Sequence, residues 1–596
     1  MSHPVHYRIT AADPAAHLFS IEMTVRRPAA DGQVFRLPRW IPGSYLLRDF
    51  SRHLGPLSAR SAHGPVTLTA LDNHSWQAAP CHGPLTLSYT AYAFDLSVRG
   101  AYLDRERGFF NPTSLCLEAV GQSGQSHGLR VDAPAPGTVS GDWRLAGTLP
   151  ADGAAPFGFG DFVADSYDTL IDHPFELGHF DVVPFRVCNT DYEIVVSGRH
   201  RGDLDRLARD VARICEWQIR LFGEPAPFHR YQFQLFVGKD VYGGLEHRDS
   251  TALMASRDDL PVHGDDTLSD GYLDLLGLFS HEHFHAWNVK RIKPAAFTPY
   301  DLSQAALTSL LWAFEGVTSY YDDLTLVRSG VVPVERYLAQ LARTLTAVQR
   351  GSGRHKQTLA ESSLDAWTKY YQQNENSPNA IVSYYQKGAL AALALDLKIR
   401  QDSHGARSLD DVMRALWRRW RDTGAGIGET EWERIAQQAT GLDLGAFFDQ
   451  AIRSTADLPL QALLQDAGVT VAWRAAQSGA DKGGAPLPTA SDTPPRAVIG
   501  VRSAADPAGI RLTHVLDGGA AQAAGLSAGD VLVAIDGLRA SDLERQLARH
   551  RPGDSVRLHA FRRDELLAFD VIVQAAPADT CWLAPQDTPL WLSPAA

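Results

Sequence analysis

The sequence predicts a multidomain α+β protein with a β-rich N-terminal domain, a mainly helical middle domain and a small C-terminal domain. Three observations support this prediction. A chain of 596 residues exceeds the usual size of one domain. Short β-type runs fill residues 1–170, and helical periodicity dominates residues 267–455. A segment rich in Ala, Gly, Ser and Pro, residues 475–496, then precedes a last compact unit.

The first 170 residues show the pattern of antiparallel sheets. Runs such as LFSIEMTVRR and LTLSYTAYAF are rich in β-branched and aromatic residues, and Gly, Pro and Asp separate them. Helical periodicity is scarce here. We therefore expect one or two antiparallel sheets in an N-terminal domain over residues 1–170.

The middle domain, expected over residues 171–474, begins with mixed elements and then becomes helical. Apolar residues at helical spacing predict a helix that ends at Gly223, and YQFQLFV (231–237) predicts a strand. Asp266 or Thr267 is expected to cap the next helix, which runs through LDLLGLFSHEHFHAW.

The C-terminal part has three expected pieces. Residues 475–496 have the composition of a linker, because such a segment cannot bury much apolar surface. Residues 497–580 form a compact unit of short strands with one short helix between Gly519 and Gly525. The tail, residues 581–596, has no informative pattern.

Composition and charge narrow the function classes. The net charge of −13 and the lack of a basic run argue against nucleic acid as a partner. The five cysteines are scattered and form no CxxC pair, so no disulfide framework is expected. The N-terminus lacks the pattern of a signal peptide, and no run reaches the roughly 18 apolar residues of a membrane span. We therefore expect a cytoplasmic protein.

The stretch HEHFHAWNVKRIKP (281–294) carries a metal-binding pattern. On a helix His281 and His285 lie one turn apart and about 40° apart around the axis, so both imidazoles can bind one ion. Glu282 lies about 100° from His281, where it can reach a metal-bound water. His283 points away and is not counted as a ligand. This is the HExxH pattern, in which two histidines bind zinc and the glutamate is the general base.

A catalytic zinc needs a third protein ligand and an open position for water. Asp301 and Gln304 are expected to form a capping box that opens a helix through LWAFEGVTSYY. Glu315 lies in this helix among apolar residues, where a carboxylate is costly unless it is paired or metal-bound. It is therefore the expected third ligand. The alternative, a glutamate on a solvated face, is disfavoured because no other charge appears until Asp322.

These residues resemble a known family. HEHFHAWNVKRIKP followed by WAFEGVTSYY is similar to the glycyl aminopeptidase family of zinc metallopeptidases, which belongs to the gluzincins. PRWIPGSYLLRDFSRHL (38–54) resembles the N-terminal β-domain of that family. The resemblance implies a thermolysin-like catalytic domain over residues 171–474 and one Zn²⁺ per chain.

The resemblance implies a role for the residues of two further stretches. VYGGLEHRDS is similar to the exopeptidase motif of related aminopeptidases, which implies that Gly243 and Gly244 contact the substrate backbone and Glu246 holds its free α-amine. Without the resemblance, this stretch is equally well a turn with an exposed glutamate. SYYQKGALAAL resembles the YxKG stretch, which implies that Tyr385 stabilises the oxyanion; Tyr384 is the neighbour with which it could be confused.

The sequence departs from the better-known aminopeptidases in two places. His285 and Glu315 are 30 positions apart (315 minus 285), a longer spacing than in alanyl aminopeptidases, so KRIKPAAFTPYDLSQ is expected to form a loop near the site. Ser319 stands four residues after Glu315, where thermolysin-like enzymes often have Asp. The partners that orient the histidines therefore stay open.

The C-terminal unit resembles a PDZ domain of the bacterial protease type. AVIGVRS and GLSAGDVLVAIDG carry this resemblance. It implies that Val498, Ile499, Gly500 and Val501 form the loop that captures a protein C-terminus through backbone amides. Packing of the unit against the catalytic domain is an equally good alternative.

The sequence as a whole predicts a zinc aminopeptidase acting on peptides with a free N-terminus, and the resemblance implies a preference for Gly or Ala. Two alternatives stay open. One is a zinc endopeptidase in which Glu246 has only a structural role. The other is a PDZ-based binding protein with an inactive metal site, which the intact HExxH disfavours because a structural site needs no base.

Overall fold

The computed structural model describes residues 3–486, 496–587 and 589–593. The chain divides into two structural units. The first consists of Met1–Leu307 and Trp417–Gly428, and the second of Thr308–Leu416 and Glu429–Ala596. Part of the expected linker, residues 487–495, and positions 588 and 594–596 of the tail lie outside the described residues.

The N-terminal region is built from strands, as predicted, but it has three sheets where one or two were expected, and its first strand, Val5–Asp13, pairs parallel with His127–Asp132. Along β2 and β8, buried side chains alternate with partly exposed ones, as expected for a strand with one face in the core. A seven-stranded sheet has the order β14-β12-β1-β2-β8-β4-β5, and two four-stranded sheets have the orders β13-β15-β10-β9 and β11-β3-β7-β6. The elements are β1 (Val5–Asp13), β2 (Leu18–Val25), β3 (Val34–Arg36), β4 (Ser58–Ser61), β5 (Gly64–Val66), β6 (Leu68–Ala70), β7 (Ser75–Ala78), β8 (Leu85–Tyr92), β9 (Ala101–Leu103), β10 (Arg107–Phe110), β11 (Glu118–Ala119), β12 (His127–Asp132), β13 (Arg144–Ala146), β14 (Gly160–Ala164), α1 (Tyr167–Ile171) and β15 (Phe175–Gly178).

A mixed five-stranded sheet follows in the same unit, with the order β16-β17-β18-β20-β19. Its strand β19 lies at the edge and pairs antiparallel with β20. Leu245 of β19 and Met254 of β20 belong to the hydrophobic core of the N-terminal sheets, so the two regions share a core. The elements are β16 (Phe180–Val187), β17 (Thr190–Ser197), α2 (Leu204–Phe222), β18 (Arg230–Gly238), β19 (Gly243–Glu246), β20 (Ser250–Ser256) and α3 (Asp270–Phe284).

The remainder of the middle region is helical, as predicted. The helices are α4 (Val317–Arg328), α5 (Val334–Arg350), α6 (Leu359–Leu364), α7 (Ser377–Ala380), α8 (Gln386–Asp402), α9 (Leu409–Thr423), α10 (Glu431–Thr440), α11 (Gly445–Ala451) and α12 (Leu460–Asp466). Two π-helical turns, Trp312–Gly316 and Ala366–Tyr370, were not expected.

The expected capping box at Asp301 is wrong. Residues 301–311 form turns and irregular structure, and the Asp301 carboxylate accepts hydrogen bonds from the Ser303 amide and the Gln304 side chain without starting a helix. Long-range contacts explain the difference. The Trp40 indole donates to the Asp301 carbonyl, and the Arg39 amide donates to the Leu302 carbonyl. These bonds hold residues 301 and 302 against Arg39 and Trp40, in a conformation that does not begin a helix.

The C-terminal unit has a six-stranded sheet in which β23-β24-β25-β27-β28 are adjacent and β26 pairs with β25. It contains two short helices, so the expectation of one was wrong; α14 is capped by the Asp542 side chain. The end of the chain is not featureless, since β30 pairs antiparallel with β21. The elements are β21 (Val469–Arg474), β22 (Ala497–Val498), β23 (Val501–Asp506), β24 (Gly509–Val515), α13 (Ala520–Ala523), β25 (Val531–Ile535), β26 (Leu538–Arg539), α14 (Leu543–Leu547), β27 (Ser555–Arg562), β28 (Glu565–Ile572), β29 (Gln574–Ala575) and β30 (Thr580–Pro585).

A buried arginine joins the helices of the second unit to the C-terminal segment. The Arg328 side chain is 3% exposed and donates to both Asp410 carboxylate oxygens at 3.1–3.2 Å. It also donates to the Trp591 carbonyl at 2.8 and 3.0 Å. The Asp396 carboxylate lies 3.9 Å away and accepts from the Tyr320 hydroxyl. Asp396 also pairs with Arg400 at 3.0 Å, so Asp410, with its side chain 13% exposed, is the carboxylate that depends most on the Arg328 guanidinium.

We expect Arg328→Met to destabilise the folded chain by about 3–5 kcal/mol, because the largely buried Asp410 carboxylate loses its cation and the Trp591 carbonyl loses its donor. Urea unfolding followed by circular dichroism measures this change. Lys398→Met is the matched control, because the pair Lys398–Asp402 is partly exposed to solvent and surface pairs contribute at most about 1 kcal/mol. Equal unfolding midpoints for the two variants would contradict this account of Arg328.

Candidate metal centre

Helix α3 carries the HExxH residues through the interior of the first unit. It begins after Ser269, whose side chain accepts a hydrogen bond from the Tyr272 amide at 3.1 Å, so the expected cap at Asp266 or Thr267 was three and two residues early. The buried residues of α3 include Leu273, Leu276, Phe279 and Phe284. Most of the helix is buried, but Asp274 is exposed and Gly277 and His281 are partly exposed, so one face of the helix, which includes His281, is open.

The two histidines of this helix converge. Nε2 of His281 and Nε2 of His285 are 3.0 Å apart. Nδ1 of His285 lies 2.7 Å from the Asn288 carbonyl oxygen. Because a carbonyl only accepts, Nδ1 carries the proton and Nε2 keeps its lone pair. A backbone carbonyl therefore fixes the tautomer of His285 that binds a metal.

Glu315 lies in the π-helical turn Trp312–Gly316 and is 2% exposed. His281, His285 and Glu315 each offer one ligand atom, and these atoms all lie within 4.8 Å of one another. Tetrahedral zinc has bonds of about 2.0–2.1 Å, which separates its ligand atoms by roughly 3.3 Å. The 3.0 Å between the two imidazole nitrogens is close to this value, and two imidazole nitrogens with one carboxylate oxygen are the donor set of a catalytic zinc site, which keeps a fourth position for water.

Glu282 faces the edge strand β19. Its side chain is buried, and a Cβ atom added at Gly244 would overlap its carboxylate. The Gly244 carbonyl accepts a hydrogen bond from Arg99 at 3.2 Å. The predicted glycine pair thus begins an edge strand, and the absence of a side chain at 244 leaves room for the Glu282 carboxylate.

Glu246 ends the same strand and is 4% exposed, so the alternative of an exposed glutamate is excluded. Its Oε1 has no hydrogen-bond partner among the described residues. Gly43, with φ +91°, lies so close that a Cβ atom there would overlap the Glu246 carboxylate. The turn around Gly43 comes from the N-terminal stretch PRWIPGSY and closes one side of this carboxylate. The sequence pattern gave no indication of this contact.

His283 is not part of the metal centre, as predicted. Its Nδ1 lies 2.7 Å from Oε1 of Gln218, and its Nε2 lies 3.1 Å from the Tyr192 hydroxyl. Burial lowers the pKa of His283 to about 3. The ring is therefore neutral at physiological pH and has a structural role.

Residues 285–294 are folded back into the first unit. Lys290 is 2.7 Å from Asp172, and the Arg291 guanidinium donates to the carbonyls of Ala286, Pro227 and Arg248. Burial alone raises the pKa of Asp172. The charge of Lys290 and the other polar neighbours of Asp172 outweigh this effect and hold the pKa of the carboxyl well below its usual range. The expected loop KRIKPAAFTPYDLSQ is therefore anchored at its start.

The Asp172 carboxylate also supports the residue that follows Glu246. It lies 3.1 Å from Nδ1 of His247 and accepts from the Arg248 amide at 3.2 Å. The sequence patterns did not indicate that Asp172, Lys290 and His247 support the site. The basic cluster after HEHFH was the one available signal, and it did not indicate which carboxylate would pair with it.

Tyr385 is the residue that precedes α8. Its hydroxyl lies 3.4 Å from the Tyr371 hydroxyl, and its side chain is partly exposed. Tyr384 is fully buried, and burial raises its pKa well above the usual value. Of the two side chains, that of Tyr385 is therefore the one with exposed surface.

The C-terminal unit, residues 497–580, is part of the second structural unit and packs against the helices of that same unit. The Asn379 side chain donates to the Val515 carbonyl at 2.9 Å and accepts from the Asp517 amide at 2.9 Å. The Leu516 amide donates to the Gly500 carbonyl at 2.9 Å. The expected capture loop, residues 498–501, is therefore bonded to the segment that packs against Asn379.

Comparisons with known proteins agree with this architecture. Family models match residues 274–391 (M61 glycyl aminopeptidase), 6–179 (Peptidase M61 N-terminal domain) and 497–573 (PDZ domain). A crystal structure of an aminopeptidase N family protein from Idiomarina loihiensis is 42% identical, with a TM-score of 0.94, over 99% of this chain and 100% of that one. No match was found among curated proteins.

More distant structures also align. An M1 zinc metallopeptidase from Deinococcus radiodurans is 13% identical, with a TM-score of 0.49, over 76% of this chain and 95% of that one. Aminopeptidase A from Legionella pneumophila is 14% identical, with a TM-score of 0.48, over 76% and 49%. Neither likeness is strong enough to bear on function. Among the described residues, no helix is both long and apolar enough to cross a membrane.

The match to the Idiomarina loihiensis structure spans all three matched domains, so the predicted fold class and family resemblance are confirmed. The chain therefore belongs to the M61 glycyl aminopeptidase family and is a metallo-aminopeptidase.

Proposed function

We propose that the protein is a zinc-dependent aminopeptidase that removes small N-terminal residues, Gly or Ala, from peptides. The observation that carries this proposal is the donor set of His281, His285 and Glu315, with ligand atoms within 4.8 Å of one another. Zinc bound there would polarise the scissile carbonyl and lower the pKa of a bound water. Three protein ligands leave one position for that water.

Glu282 is the proposed general base. It takes the proton of the attacking water and passes it to the amine of the leaving peptide. Its carboxylate lies against Gly244 of the edge strand, where an extended peptide backbone can pair as a further strand. The base is therefore next to the proposed path of the substrate.

Glu246 is the proposed anchor of the substrate α-amine. A buried carboxylate oxygen without a hydrogen-bond partner is costly, and an ammonium group bound to it removes that cost. Gly43 closes one side of the carboxylate, which limits the space beyond the first substrate residue. This arrangement favours an exopeptidase over the alternative of an endopeptidase.

Tyr385 is the proposed oxyanion donor. Its hydroxyl lies at the start of α8 beside the Tyr371 hydroxyl, and it is partly exposed where Tyr384 is not. A phenol fixed in this way can donate to the oxygen that gains charge as water attacks the carbonyl.

The PDZ unit is proposed to bind protein C-termini through residues 498–501. Strand β23, which follows this loop, lies at the edge of its sheet and is largely exposed. An edge strand of this kind can accept an added peptide strand. The contacts of Asn379 show that packing against the helical region occurs as well.

A panel of aminoacyl chromogenic substrates tests the proposed activity. We expect Gly and Ala substrates to have kcat/KM values about tenfold or more above those of Leu and Phe substrates, because a pocket for small residues excludes larger side chains. A zinc chelator should abolish cleavage, and added zinc should restore it. Cleavage that is insensitive to chelator would remove the metal from the mechanism.

We expect Glu282→Gln to lower kcat by about 10²–10⁴-fold while the protein keeps its zinc, because the amide cannot accept the water proton. Steady-state assays and elemental analysis measure the two quantities. Glu335→Gln, at an exposed glutamate of α5, is the control. Unchanged turnover would show that Glu282 is not the base.

We expect a peptide with a free N-terminus to be cleaved and its acetylated form to resist cleavage, because only an ammonium group pairs with Glu246. Glu246→Gln should lower kcat/KM for the free peptide by about 10²–10³-fold, the cost of losing one partner of a buried charge pair. Asp258→Asn, at an exposed carboxylate, is the control. Equal cleavage of both peptides would support the endopeptidase alternative.

A further inference from the structure

A pocket of about 400 Å³ in the second unit contains a buried lysine. We name it the Lys387 pocket; its walls include Leu345, Val348, Lys387, Leu390, Leu464 and Trp473. Lys387 is 2% exposed, and its Nζ has no hydrogen-bond partner among the described residues. A pocket of this volume is large enough for a small organic ligand.

Three elements each turn one face toward this pocket. Lys387 and Leu390 are three apart on α8, and Leu460 and Leu464 are four apart on α12, so each pair lies on one face of its helix. Val471 and Trp473 are two apart on β21 and lie on one face of that strand. The pocket is therefore a regular feature of the packing of these elements.

The other charged groups of the wall pair with each other. Arg354 and Asp457 line the pocket and lie 3.0 Å apart, with the Asp457 side chain 58% exposed. The Asp457 charge is thus largely compensated by Arg354 and by water. Among the described residues, Lys387 is the buried cation of the lining whose charge has no hydrogen-bonded partner.

A buried ammonium group without a partner is unstable relative to one paired with an anion. Burial lowers the pKa of Lys387, Asp457 raises it and Arg354 lowers it, with a net decrease. One cation within apolar walls matches a ligand with one negative charge and an apolar chain. A dianion would leave one charge unpaired, and a cation would be repelled.

We propose that the Lys387 pocket binds an apolar monocarboxylate, whose carboxylate pairs with Lys387 and whose chain lies against Leu345, Leu464 and Trp473. This chemistry is shared by a medium-chain fatty acid and by the C-terminal carboxylate of an apolar peptide. The site is distinct from the proposed zinc centre, although Lys387 lies two residues after Tyr385 on the same helix.

Isothermal titration calorimetry on the full zinc-loaded chain tests the proposal. Octanoate should bind, whereas octan-1-ol should bind about 10- to 100-fold more weakly, because it lacks the charge-assisted hydrogen bond. Octylamine should not compete with octanoate for the pocket; competition is measured because the ammonium group can also pair with the proposed anchor Glu246. Equal affinities for octanoate and octan-1-ol would overturn the proposal, as would the absence of octanoate binding.

Two variants test whether octanoate binds in the Lys387 pocket. Lys387→Met should weaken octanoate binding about 10- to 100-fold, while Lys398→Met, at a partly exposed lysine of the same helix, should leave it unchanged. Val348→Trp places a large side chain in the pocket from a partly exposed position and should abolish octanoate binding. This variant replaces Lys387→Met as the test if Lys387→Met does not fold. Wild-type affinity in a folded Lys387→Met or Val348→Trp variant would refute the site.

A second titration separates the two sources of the carboxylate. An acetylated apolar tripeptide with a free C-terminus is compared with its C-terminal amide, and acetylation protects both peptides from the proposed aminopeptidase activity. Binding of the free acid alone that Lys387→Met weakens assigns the pocket to peptide C-termini, and this variant separates it from binding at the proposed PDZ loop, residues 498–501. Binding of octanoate but neither peptide assigns it to fatty acids, and both results support a carboxylate site.

Discussion

The candidate active site depends on the convergence of two imidazoles one turn apart on a buried helix. Nε2 of His281 and Nε2 of His285 lie 3.0 Å apart, and the Asn288 carbonyl fixes the tautomer of His285. This geometry needs a helix that neither slides nor rotates. The apolar residues around α3 and the Ser269 cap hold it in place.

A buried network of charges supports the part of the candidate site around Glu246. Asp172 pairs with Lys290, which follows the metal-binding helix, and with His247, which follows Glu246. One carboxylate thus joins the segment after α3 to the end of β19. Because a partly paired buried charge is costly, these segments keep one arrangement relative to each other. Gly43 then closes the Glu246 side from the N-terminal sheets.

Sequence patterns predicted the local features well and the long-range ones poorly. The spacing of His281 and His285 is a property of one helix turn, and Glu315 was indicated by its apolar neighbours within a few residues. Asp172 and Lys290 are 118 positions apart (290 minus 172), so no local pattern indicates their pairing. The predicted capping box at Asp301 was wrong, and the carbonyl of this residue accepts from Trp40, 261 positions away, a contact that no local pattern indicates.

The π-helical turn at Trp312–Gly316 has a mechanical consequence. A Cβ atom added at Gly316 would lie 2.6 Å from the Gly388 Cα, so the two backbones touch directly. Gly388 lies three residues after Tyr385 on α8. The backbone segments that carry Glu315 and Tyr385 are therefore in direct contact, with no side chain between the two glycines. A residue with a side chain at 316 or 388 would push these two segments apart.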